Sequence, residues 1–117
     1  MADRQVPLMA ASGFVSLWEF AVKATRQAEF ERLYGPDGGW AQLFRLAPGY
    51  VGTELLNDRA SPLRYVTIDH WASIDHWRKF RQQFAEQYES LDRECEGLTT
   101  QEAPLGEFDA MSGPFAG

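Results

Sequence analysis

One stretch limits the fold more than any other: Phe14-Val-Ser-Leu-Trp-Glu-Phe-Ala-Val22. Its aromatic and β-branched residues predict a strand. Phe14, Trp18, Phe20 and Val22 fall on one alternating set, Val15 and Leu17 on the other. Successive strand residues point to opposite faces. Both faces of this strand are therefore apolar, and both need cover.

The segments around it supply that cover. Thr25 is a candidate cap for a helix whose apolar side is Ala28, Phe30, Leu33 and Tyr34. Gly35-Pro-Asp-Gly-Gly39 breaks this helix, because neither Gly nor Pro favours a helix interior. Trp40, Leu43, Phe44 and Ala47 resume the helical spacing, and Pro48-Gly49 closes it. Tyr50 to Asn57 predicts a second strand, Asp58 to Leu63 a turn, and Arg64 to Trp71 a third strand. Ser73 is the expected N-cap of one long helix. Its stripe runs through Ile74, Trp77, the stem of Arg81, Phe84, Tyr88, Leu91, Cys95 and Leu98, with Phe80 widening it and Gly97 ending it. Thr99 to Phe108 predicts a fourth strand, with Pro104 confined to an edge or a bulge.

Strand, helix, strand, strand, helix, strand is the ferredoxin-like βαββαβ order: an α+β fold with a four-stranded antiparallel sheet and helices on one face. The other face is too apolar for water, which predicts a second copy packed sheet against sheet. A chain of 117 residues fits one domain. We place it at residues 13–108, between a flexible N-terminal arm (1–12) and a loose C-terminal tail (109–117).

Charge narrows the partners. There are 11 basic and 17 acidic residues, a formal net charge of −6. The densest basic cluster, Arg78, Lys79 and Arg81, is followed by Glu86 and Glu89. Nucleic-acid binders carry a basic patch or stripe, so neither nucleic acid nor a membrane surface is an expected partner. Met1 to Ser12, with only a short apolar stretch and an acid at Asp3, is not expected to be a signal peptide. No run approaches the roughly 20 apolar residues of a membrane span. The single cysteine, Cys95, excludes an internal disulfide. A cytoplasmic location is expected.

The framework resembles a known family. Phe14–Val22, the broken helix ending in Ala47-Pro-Gly-Tyr50, the strand Val51-Gly-Thr-Glu-Leu-Leu56, and Tyr65-Val-Thr-Ile-Asp-His-Trp71-Ala-Ser73 are similar to the antibiotic biosynthesis monooxygenase (ABM) domain of the dimeric α+β barrel proteins. Pro-Gly-Tyr before the second strand and Trp-x-Ser after the third carry most of the likeness. The resemblance implies a homodimer. Members of the family include cofactor-independent oxygenases of polycyclic phenols, haem-degrading enzymes and many with no known activity. In the oxygenase branch a Trp at the place of Trp71 lines the pocket, with an Asn four residues earlier and a Tyr six residues later. Those positions resemble Thr67, which can still hydrogen-bond, and Trp77, which has no phenol. The haem-degrading branch uses an Asn on the first strand, absent here, and a Trp and a His on the second helix. The latter two positions resemble Phe80 and Ser90.

Candidate site residues follow. Histidine is the residue type suited to a base near neutral pH, so His70 is the candidate proton acceptor. Trp71 and Thr67 are candidates to position a ring and its oxygen. Trp18, Trp40, Phe44, Tyr65, Trp77, Phe80 and Phe84 are candidate walls for a flat aromatic ligand. Ile68-Asp-His-Trp71 recurs as Ile74-Asp-His-Trp77, which invites a metal reading. One copy lies on a strand and the other in a helical turn, so equal spacing gives unequal geometry. We expect neither metal nor cofactor. A non-catalytic module that binds a small ligand, or another protein, on the same dimer is the alternative reading.

Overall fold

In the computed structural model, which describes residues 11–116, the chain runs β1 (Phe14–Val22), α1 (Gln27–Tyr34), α2 (Gly39–Phe44), β2 (Tyr50–Asn57), β3 (Arg64–Trp71), α3 (Ile74–Gln83), α4 (Ala85–Cys95) and β4 (Thr99–Asp109). The sheet order is β2-β3-β1-β4, with every adjacent pair antiparallel. This is the ferredoxin-like α+β arrangement. Among the described residues no helix is long and apolar enough to cross a membrane.

Strand parity sorts the side chains. Phe14, Phe20 and Val22 of β1, with Tyr65 and Trp71 of β3, are buried on the inner face against Phe30, Tyr34, Phe44 and Phe80 of the helices. Phe30 stacks on Tyr34 with centroids 4.2 Å apart, and Phe80 meets Phe44 edge-on at 5.2 Å. Each such ring contributes about 2–3 kcal/mol by leaving water. The outer face carries Val15 and Leu17 of β1, Val66 and Ile68 of β3, Leu56 of β2 and Phe108 of β4. Leu56 and Phe108 are exposed.

Several local expectations need adjustment. Thr25 lies in a 3-10 turn, Ala24–Arg26, and the N-cap of α1 is Arg26, with no side-chain cap. Arg26 instead pairs with Glu29. The second helix is two helices. Phe84, at φ −113° and ψ 27°, leaves the helical region between α3 and α4, although neither Gly nor Pro stands there. Ser73 does cap α3, accepting from the backbone N–H of His76 at 3.2 Å. The break between α1 and α2 falls within Gly35–Gly39 as expected. Pro104 lies on edge strand β4 beside a bulge at Leu105, and Gly106 takes φ +145° there.

At the ends, residues 1–10 and 117 of the expected arm and tail lie outside the described residues. Ser12 belongs to the fold: it is fully buried, its N–H donates to the carbonyl of Phe115, and it forms a parallel bridge with Ala116. The end of the tail therefore packs back beside the start of β1.

Candidate functional site

Between the inner sheet face and the helices lies a cavity of about 270 Å³. Its sheet side is lined where small polar residues stand between large rings. On β3, Thr67 and Asp69 separate Tyr65 from Trp71, and Thr53 is the register partner of Asp69 on β2. Trp18 and Phe20 of β1, Tyr34 of α1, Trp40 and Phe44 of α2, Trp77 of α3 and Tyr88 of α4 complete an aromatic wall. Arg81, Asp92 and Glu102, all exposed, form the rim. The Arg81 guanidinium sits 4.1 Å from the Tyr88 ring centroid and 5.3 Å from that of Trp77. Cation–π contacts of this kind hold a long side chain in place.

Asp69 is the chemically distinctive group. Burial pushes its carboxyl up to about 6, against the opposing pull of the Thr53 hydroxyl and the field of His70. Thr53 Oγ1 donates to Oδ1 at 2.7 Å. The other oxygen, Oδ2, has no donor among the described residues. Thr67 is only 5% exposed, and its hydroxyl makes no hydrogen bond among the described residues. Burial raises the phenols of Tyr34 and Tyr88, so both stay protonated at neutral pH. The cavity thus combines aromatic surface, one carboxylate that titrates close to neutrality, and hydroxyls that can orient an oxygen.

Of the residues singled out in the sequence, Trp18, Trp40, Phe44, Trp77 and Thr67 line this cavity. Trp71 and Phe80 do not. Both are 0% exposed and pack into the core behind it, 5.3 Å apart, and the indole N–H of Trp71 has no partner among the described residues. Phe84 packs on Phe80 at the kink. Tyr65 turns towards α1, donating to Glu31 and accepting from Gln27 Nε2 at 3.1 Å. His70 cannot serve as the cavity's proton acceptor, because alternation along β3 puts it on the outer face. There Nε2 meets Glu54 at 2.6 Å, Nδ1 meets Ser12 Oγ at 3.3 Å, and the ring packs on Phe115.

The second His-containing repeat is structural. His76 Nδ1 bonds Ser73 Oγ at 2.7 Å, and the ring packs against Gly49. Among the described residues no three His, Cys, Asp or Glu side chains gather around a metal position. The cavity lining offers no imidazole or thiolate as an axial haem ligand, and burial keeps its phenols, Tyr34 and Tyr88, protonated. Sequence reasoning passed over Asp69, Thr53, Tyr34, Tyr88 and the rim. Strand parity places Asp69 on the same face as Thr67, but its altered acidity comes from burial, which local sequence does not encode.

Fold and site together define a ferredoxin-like α+β domain with an aromatic cavity between sheet and helices and a carboxylate in its wall. A family model described as antibiotic biosynthesis monooxygenase matches residues 13–88. The chain belongs to that family. Among solved structures, a variant of SnoaB, a cofactor-independent oxygenase from Streptomyces nogalater, is similar at 25% identity and TM-score 0.66, covering 89% of this chain and 98% of that one. A variant of MhuD with two manganese protoporphyrin IX molecules bound per active site aligns at 22% identity and TM-score 0.66, over 86% of this chain and 96% of that one. PA3566 from Pseudomonas aeruginosa aligns at 13% identity and TM-score 0.61, over 87% and 97%. These last two share the fold. No curated protein sequence matches the chain significantly.

Proposed function

We propose that the protein is a cofactor-independent monooxygenase acting on a flat phenolic or enolisable aromatic molecule. The observation that carries this reading is the Asp69 carboxylate. It is held among aromatic rings, poised by burial near pH 6, with one oxygen unpartnered among the described residues. The family, and the likeness to a cofactor-independent oxygenase, support it.

In the proposed reaction the substrate supplies the electrons. Asp69 Oδ2 takes a proton from an acidic C–H of the bound ring tautomer, leaving a delocalised carbanion. That anion passes one electron to O₂, and the radical pair joins as a C–O bond. Asp69 returns its proton to the resulting peroxide. Loss of water with the second hydrogen on that carbon leaves a C=O group. One oxygen atom enters the product and the other leaves as water, so R₂CH₂ + O₂ gives R₂C=O + H₂O. A base matched to working pH accelerates such a transfer by roughly 10²–10⁴-fold. Thr67 is placed to hydrogen-bond a substrate oxygen, and the aromatic wall keeps the anion dry. A cavity of about 270 Å³ lies near the small end of ligand pockets, which suits two or three fused rings better than a tetrapyrrole.

The working assembly in this proposal is a homodimer joined through the apolar outer sheet face. The reading is tested by incubating metal-free protein with a hydroxyanthrone and a naphthol while recording oxygen uptake and melting temperature. Expected are a raised melting temperature and uptake of one O₂ per anthrone oxidised, with no additive. Stabilisation without oxygen uptake would favour the non-catalytic binding module. Absence of both would remove the reading.

A further inference from the structure

We infer that Thr53 and Tyr50 are positioning residues for the proton acceptor: a one-directional hydrogen-bond chain, Tyr50 to Thr53 to Asp69, fixes the carboxylate and leaves Oδ2 as its only reactive oxygen. This rests on the reading of Asp69 as the base, and it adds two residues to that reading.

The direction follows from counting hydrogens. Tyr50 Oη lies 2.6 Å from Thr53 Oγ1, which lies 2.7 Å from Asp69 Oδ1. An ionised carboxylate only accepts, and a threonine hydroxyl has one hydrogen. Thr53 must therefore donate to Asp69, and Tyr50 must donate to Thr53. Burial raises the Tyr50 phenol above its ordinary range, so it keeps the hydrogen it donates. The chain holds Oδ1 and polarises one way. A proton taken from substrate therefore arrives on Oδ2 and leaves from Oδ2.

The backbone is arranged for this contact. Residues three apart on a regular strand point to opposite faces. Tyr50 and Thr53 nevertheless share the inner face, because the β2–β3 register slips between Tyr50 and Gly52 and leaves Val51 unpaired. A bulge of this kind re-aims a side chain and is common beside active sites. The Tyr50 ring is held in turn by Trp71 at 5.3 Å and Phe44 at 5.4 Å. The Trp of the Trp-x-Ser motif thus acts one layer behind the cavity, as a support for this chain.

Other titratable groups share the cavity. Tyr34 comes from α1, Arg81 from α3, Tyr88 and Asp92 from α4, and Glu102 from β4, while the charges of Arg45 and Asp37 act on Tyr50. β1 presents only Ser16 and Trp18 near Asp69, and His70 of β3 points outward. Because Asp92 and Glu102 bring further carboxyls to the same cavity, the test must resolve Asp69 alone. Full-length protein carrying ¹³C-carboxyl aspartate is titrated by NMR, with the Asp69 resonance assigned by its loss in Asp69→Asn.

A hydrogen bond to an ionised group contributes roughly 1.5–3 kcal/mol, and 1.36 kcal/mol corresponds to one pH unit. Thr53→Val, close to isosteric, is expected to raise the Asp69 midpoint by about one pH unit or more. Tyr50→Phe should raise it by about half as much, and Thr53→Ser should restore it. A Thr53→Val midpoint equal to wild type would overturn the chain. So would a Thr53→Ser midpoint as high as that of Thr53→Val, which would mark a packing effect. A raised midpoint in Thr53→Val with none in Tyr50→Phe would remove Tyr50 and contradict the three-membered chain. The titration needs no substrate. If the midpoints move as expected while hydroxyanthrone gives no oxygen uptake, the chain stands and the oxygenase reading falls.

Discussion

Asp69 and its neighbour His70 show how one residue of strand register decides chemistry. His70 is the base that residue type suggests, and by parity it is on the wrong face. Asp69 gains its suitability from burial, which raises its carboxyl to about 6. The same shift has a stability consequence. A carboxyl that binds its proton more tightly when folded makes the folded state lose stability as pH rises from about 4 to about 6. Asp69→Asn removes that cost, so it should stabilise the protein at pH 7.5 by about 1–2 kcal/mol while flattening the pH dependence. Urea unfolding at pH 4 and pH 7.5 checks this, and an unchanged pH dependence would contradict it. His70→Ala, in contrast, should leave oxygen uptake within about twofold of wild type. Trp71→Phe should cost about 1–3 kcal/mol as a core change and leave hydroxyanthrone affinity little altered.

At the scale of elements, most of the fold was legible in the sequence. β1, β2 and β3 begin and end where their alternation and turn residues place them, and the Gly35–Gly39 break falls where Gly and Pro remove helix propensity. Two features were not legible. The kink at Phe84 carries no Gly or Pro, and the stripe from Trp77 to Cys95 keeps helical spacing across it. The slip at Val51 is one unpaired residue inside a run that reads as uninterrupted strand, yet it puts Tyr50 and Thr53 on one face. Gly49, just before β2, is legible in its type and not in its reason. It takes φ +90°, and a Cβ there would stand 2.3 Å from the His76 ring. Gly49→Ala should therefore cost at least about 2 kcal/mol, from strain and collision together. Adding His76→Ala should recover the collision part alone, a partial rescue that a double-mutant cycle in urea measures. Full additivity would show that the two residues do not meet.

At the scale of the whole molecule, the sheet has an outer face of Val15, Leu17, Leu56, Val66, Ile68 and Phe108 beside the polar Glu54 and His70. The two-sided apolar character of β1 made that face legible; of the cavity on the other side Trp18, Trp40, Phe44, Trp77 and Thr67 were legible, while its extent was not, because it depends on which rings leave space around Thr53, Thr67 and Asp69. A sheet-to-sheet homodimer should bury more than roughly 2,000 Å² in total. Light scattering at micromolar concentration should give twice the mass of the 117-residue chain for wild type and one chain mass for Leu17→Asp. A monomeric wild type would contradict the proposed assembly. The oxygenase chemistry is tested most directly by the rate of oxygen uptake with hydroxyanthrone, recorded from pH 4.5 to 8 in metal-free wild type and Asp69→Asn. Wild type should show a rate that rises through pH 6, as Asp69 ionises, and Asp69→Asn should lose roughly 10²-fold or more together with that rise. An Asp69→Asn protein that keeps the wild-type rate and pH profile would contradict the assignment of the base.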